Sequence, residues 1–114
     1  SKIINNVRIK MNEDFEYEYV INKDINICFL SGTIISEPDF DFFYNSKKFT
    51  SKVTFNIKTE ESFTSSKKIK SENLHIVAYN ENADLVYRNA NIGDKIIIKG
   101  FLESNRIIID EFLL

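Results

Sequence analysis

Residues 73–102 read NLHIVAYNENADLVYRNANIGDKIIIKGFL, and three patterns follow one another within them. The opening seven residues are rich in β-formers and predict a strand over 73–79. From 82 to 91 the period changes. Ala83, Val86, Tyr87 and Ala90 fall at i, i+3, i+4 and i+7, the spacing of one helix face. Asn80 or Asn82 suits the cap of that helix, and Gly93 suits its exit turn. Residues 95–102 then return to an extended apolar run. A second such run covers 106–114, and only Glu103-Ser104-Asn105 separates the two, which predicts a tight hairpin.

Upstream, residues 49–58 alternate cleanly. Val53, Phe55 and Ile57 form one face, and Lys52, Thr54, Asn56 and Lys58 the other. Between this strand and the next, residues 59–72 read as a long polar loop whose only large apolar groups are Phe63 and Ile69. Residues 25–36 are nearly continuous and apolar, interrupted by Ser31-Gly32; glycine inside a strand marks a bend where one strand serves two sheets. Glu37-Pro38 ends or kinks it, and Phe40 and Phe42 alternate with Asp39 and Asp41 as the strand resumes. Residues 1–24 read as an N-terminal β extension, a hairpin or pair of arms over 3–11 and 15–21. The main domain is expected over 25–114. Three strands, a short helix and two strands predict an all-β chain with the OB-fold: a five-stranded Greek-key β-barrel, a fold that binds oligonucleotides on one face. A sandwich would need more strands and no helix at that point.

Charge is unevenly placed. The 114-residue chain has a net charge of −2, which argues against a simple polycation. Lys47 to Lys70 nevertheless holds seven lysines and two acids, a local +5, against −7 from eight basic and fifteen acidic groups elsewhere. A basic segment on an acidic body suggests a localised anion-binding face; a solvated lysine-rich loop has the same composition.

Little supports catalysis, and the chain does not read as an enzyme. One histidine, His75, and one cysteine, Cys28, both on strands that read as core, would have to supply nucleophile and base. Three glycines, at 32, 93 and 100, form no phosphate-cradling loop. A lone histidine without ligand-spaced partners is a poor metal group, so His75 reads as structural; Asp39 and Asp41 are a remote metal pair. No metal or cofactor is expected. Cys28 reads as a buried, inert thiol in a reducing compartment. Lysine outnumbers arginine and Ile and Asn abound, the codon signature of an AT-rich genome. A bacterial cytoplasm or an organelle of such a genome is the expected location. No apolar run approaches the ~20 residues of a membrane span, so no membrane association is expected. The chain opens at Ser1 rather than Met, which fits a trimmed upstream segment or a boundary within a longer chain equally well.

Three stretches resemble the bacterial and organellar single-stranded DNA-binding protein family, including its primosomal PriB-like relatives. Asn26 to Pro38 resembles the family's opening strand, with its Leu-x-Gly and a Pro six residues beyond the Gly. Val53 to Phe63 resembles its second strand, ending in an aromatic where the family has a stacking tryptophan. Leu74 to Val77, Ala83 and Ile92 to Gly100 resemble its third strand, helix and fourth strand. The chain departs from the family in having no Trp, with Leu74 at a position commonly Trp. The resemblance implies single-stranded DNA binding in replication or repair, and a homo-oligomer, dimer or tetramer. It also implies that Leu74 and Ile76 face the DNA while His75, Val77 and Tyr79 point inward. The primosomal relatives suggest the alternative of a protein-interaction module with weak or no nucleic-acid binding, and replication proteins as partners. RNA binding is a third reading, because the fold also takes RNA.

Single-strand binding requires cations along the phosphates and flat rings for the bases. The residues expected to supply these contacts are Lys47, Lys48, Lys52, Thr54, Asn56, Lys58, Phe63, Lys67, Lys68, Lys70, Leu74 and Ile76. Phe29, Phe55, Phe101 and Phe112 read as core. Phe43, Tyr44 and Phe49, beside a turn, fit either role.

Overall fold

The computed structural model describes residues 6–12, 15–20, 24–63 and 67–114; for 6–12, 15–20, 45, 62 and 63 it describes the backbone alone. Strands β1 (Asn6–Asn12) and β2 (Phe15–Val20) pair antiparallel as a two-stranded sheet of their own.

The body is a ring. Strands β3 (Cys28–Ile34), β4 (Asp39–Asn45) and β5 (Lys48–Lys58) come first. Two short strands, β6 (Ser62–Phe63) and β7 (Lys68–Ile69), and then β8 (Asn73–Tyr79) follow. Helix α1 (Asn80–Asn89) leads to β9 (Lys95–Glu103) and β10 (Arg106–Leu113). The sheet order is β3-β9-β10-β8-β5-β4, and a further β3–β5 pairing closes it. β10 and β8 run parallel; the other pairs are antiparallel. This is the expected OB barrel, with β4 flanking β5.

Closure depends on Gly32. β3 pairs with β9 from Cys28 to Thr33 and then meets β5 at Thr33 and Ile34. A Cβ on Gly32 would lie 2.9 Å from the Lys58 carbonyl oxygen, so only glycine lets the two backbones approach. The core is drawn from every ring strand by alternation: Ile34, then Val53, Phe55 and Ile57, Ile76 and Ala78, Ile96 and Ile98, Ile107 and Ile109. Helix α1 closes one end with Ala83, Val86 and Ala90. At roughly 1.5–3 kcal/mol for each large aliphatic or Phe side chain buried, this cluster supplies the main folding term. No polar or charged residue is buried among the described residues.

Five expectations need correcting. The helix covers 80–89 rather than 82–91; Tyr79 is its N-cap and no side chain caps it. Asn82 instead donates to the carbonyls of Ile109 (3.4 Å) and Asp110 (3.0 Å), where the β10 register shifts. Tyr87 lies outside the core on the helix's exposed side, and its ring rests on Phe40 at 4.8 Å. Residues 59–72 are not a loop throughout. β5 and β8 pair from Lys52↔Tyr79 to Lys58↔Asn73, the Thr59 N–H donates to Glu72 O at 2.9 Å, and β6–β7 continue the same register at Ser62↔Ile69 and Phe63↔Lys68. The segment is a β-arm that lengthens one hairpin. Phe29 is not core: it is 77% exposed, because its place on β3 opposite Lys99 turns it outward. Cys28, beside it, is half-buried against the core.

Candidate nucleic-acid interface

β5 is the spine of the site. Val53, Phe55 and Ile57 enter the core, so alternation turns Lys48, Lys52, Thr54, Asn56 and Lys58 to the opposite, outward face. Lys48 and Lys58 lie ten residues apart on this strand, about 33 Å at 3.3 Å per residue. Lys47 precedes the row in the two-residue turn that joins β4 to β5. Ser46 and Lys47 there have φ of 50° and 64°, the signature of a type I′ hairpin turn.

The partner strands define the borders of this row. On β4, Asp41 stands opposite Lys52 and Asp39 opposite Thr54, so that side repels a polyanion. On β8, His75 pairs with Asn56, and its Nδ1–H donates to Asn56 Oδ1 at 2.8 Å. Asn56 is further held from below, its N–H donating to Ser36 Oγ at 2.7 Å and its carbonyl accepting from Ile35 N–H at 2.9 Å. At the barrel-closing end, Thr33 is flanked by Lys58 and by Lys95. Lys95 Nζ lies 3.4 Å from Glu60 Oε1, which offsets part of its charge.

The β-arm carries the remaining lysines. Lys67, Lys68 and Lys70 are exposed. Lys68 Nζ lies 3.1 Å from Glu61 Oε2, so the two acids of the basic segment already engage cations. Phe63 holds a backbone position opposite Lys68; its side chain, and with it the expected stacking role, lies outside the described residues, as do the side chains of Phe15, Tyr17 and Tyr19.

Two expected contacts fall away. Ile76 is fully buried in the core and Leu74 packs against it, while His75 is exposed. The reason is register. Leu74 lies opposite Ile57 and Ile76 opposite Phe55, both core positions of β5, so β8 follows their parity. Val77 is buried as expected, yet it lies on the other side of the sheet, opposite Thr54. Tyr79 is half-buried opposite Lys52. His75 therefore joins the outward row, an addition that sequence reading missed. Parity with Ile76 could not assign it from sequence, because Val77 on the histidine's own face is apolar and buried too; the register with β5 decides.

The profile of the single-strand binding protein family matches residues 25–111, from just before β3 into β10. The chain belongs to the single-strand binding protein family. Family members bind rather than catalyse, and the chain is not an enzyme. Among solved structures, the SSB domain of a Synechococcus protein superposes with a TM-score of 0.63 at 16% identity, covering 81% of this chain and 98% of that one. The wild-type single-stranded DNA binding protein from Thermus aquaticus gives 0.62 at 16% identity, covering 78% of this chain and 49% of that one. At such identities the likeness concerns the fold. No curated protein matches the chain.

Proposed function

We propose that this chain binds single-stranded DNA without chemical turnover, as a family member acting on unpaired strands in replication or repair. The supporting observation is the outward row of Lys48, Lys52 and Lys58 on one strand, interleaved with Thr54 and Asn56. Ammonium groups spaced along a strand neutralise successive phosphates without reading sequence, and the amide and hydroxyl supply adaptable hydrogen bonds. The carboxylates of Asp39 and Asp41 disfavour a crossing over the middle of β4, which leaves the hairpin tip at one end of the row and His75 with the β-arm at the other.

Fluorescence anisotropy of a labelled oligo-dT tests this. Saturable binding at low salt is expected, weakening with a log–log slope of about −0.7 per phosphate contacted. A flat titration at low salt overturns the reading. Competition between dT and rU oligomers then separates DNA from RNA preference.

A specific surface favours self-association as well. Phe29, Leu113 and Ile97 are 77%, 68% and 43% exposed and share one outward patch on β3, β9 and β10. From Cys28 to Ser31 the second edge of β3 has no partner strand among the described residues. An exposed apolar patch beside an open strand edge suits a second copy of the chain, in keeping with the oligomeric habit of the family.

A further inference from the structure

The β4–β5 hairpin projects past the barrel, and the side of it opposite the lysine row carries aromatic rings. Tyr44 pairs with Phe49, Phe42 with Ser51, and Phe40 with Val53, so these four aromatics share the parity of the core while three of them extend beyond it. Phe42 is 61%, Tyr44 62% and Phe49 67% exposed. Their centroids form a chain: Tyr44–Phe49 at 5.0 Å, Phe49–Phe42 at 6.2 Å, Phe42–Phe40 at 6.3 Å. Adjacent rings are inclined by 58–63°, so they meet by edges and tilts rather than covering one another's faces. Single exposed aromatics need no explanation, but a contiguous row left open to water does.

Charge is graded along the row. Toward the inner end, the groove shared by Phe40, Phe42 and Phe49 is lined by Glu81, Asp84 and Arg88 of α1, two carboxylates and one guanidinium. At the outer end, Tyr44 and Phe49 adjoin the turn that bears Lys47, and Lys48, the first residue of β5, lies next to Phe49 but turns to the opposite face; both lysines are exposed. Open π-faces on one side of the hairpin tip, with exposed ammonium groups in the turn and on the other side, suit a strand that lays bases on the rings and phosphates over the tip.

Resting on the proposal that the chain binds single-stranded DNA, we infer that Phe42, Tyr44 and Phe49 form its base-stacking platform, with Lys47 and Lys48 gripping the adjoining phosphates. The bound strand then passes over the hairpin from the lysine row to the aromatic row, and the missing tryptophans are replaced at a different place in the fold.

The absence of tryptophan makes the test local. Phe49→Trp puts a single indole at the tip, and oligo-dT should quench its emission in a saturable way. Phe42→Ala and Phe49→Ala, both at exposed positions, should each weaken oligo-dT binding roughly five- to a hundredfold while leaving the salt slope unchanged. Far-UV circular dichroism confirms that each variant is folded. If both alanine variants bind as the parent does, and the indole of Phe49→Trp stays unquenched while DNA is demonstrably bound, the platform is elsewhere and the DNA-binding reading survives. If the parent chain binds no DNA at low salt, both fall together.

Discussion

Replacing Lys48, Lys52 and Lys58 with Gln, singly and together, tests the geometry of the lysine row quantitatively. The three lie four and six residues apart on β5, about 13 and 20 Å at 3.3 Å per residue. Both gaps exceed the Debye length of about 10 Å at 0.1 M salt, so the three ammonium groups act on separate phosphates and their effects should add. Each lost contact reduces the log–log salt slope by about 0.7, and the triple variant by about 2.1. Between about 50 and 200 mM salt that difference amounts to roughly 18-fold in affinity, so the curves of parent and triple variant converge as salt rises. Anisotropy titrations of oligo-dT at four or five salt concentrations measure this. Glutamine preserves side-chain length and the β5 backbone, so stability should be unaffected. A triple variant with the parent slope, or single effects far from additive, would refute a common phosphate track on this strand.

Three further outcomes are expected. In Gly100→Ala the new Cβ would lie 2.0 Å from the Ile108 carbonyl oxygen, a backbone clash across β9–β10 that should lower stability by about 3 kcal/mol in urea unfolding or prevent folding altogether; a midpoint equal to the parent's would contradict the strand packing. The β9–β10 turn holds Ser104 and Asn105 at φ of 49° and 62°, so the pair Ser104→Asn with Asn105→Gly, the preferred type I′ dipeptide, should raise stability by about 0.5–1 kcal/mol in the same assay. Phe29→Asp should reduce the solution mass by light scattering to that of a smaller assembly without unfolding the barrel, since Phe29 is 77% exposed; an unchanged assembly would place the subunit contact elsewhere.

The barrel was legible because its signals were local. Alternation over 49–58, the switch to a helical period at Ala83, Val86 and Ala90, and the short gap between the last two strands each reflect nearest-neighbour geometry. Parity at β8 was less legible. In Leu74-His75-Ile76-Val77-Ala78 both faces carry apolar groups, because Val77 is buried on the outward side as fully as Ile76 is on the inner. Hydrophobicity then cannot choose the face, and only pairing with β5 does. The same limit applied to Phe29 and Tyr87, whose exposure depends on which neighbours cover them. The β-arm was missed because Ser, Lys and Glu are weak strand formers; here the register of an established hairpin carries them.

A strand used on both sides separates stability from binding. On β5, Val53, Phe55 and Ile57 have almost no exposed surface, and losing any of them leaves a cavity worth several kcal/mol. The intervening Lys52, Thr54, Asn56 and Lys58 contribute little to that core, so they can change with the nucleic acid while the barrel persists. Beyond Val53 toward the hairpin tip the core-parity positions leave the barrel, and there Phe49 and its cross-strand partner Tyr44 keep aromatic character with no core to fill. An aromatic residue on core parity but past the end of the core is better explained by a ligand than by packing. On the proposed reading the β4–β5 hairpin supplies the rings and the row along β5 the cations, so each contribution can be removed separately without touching the core.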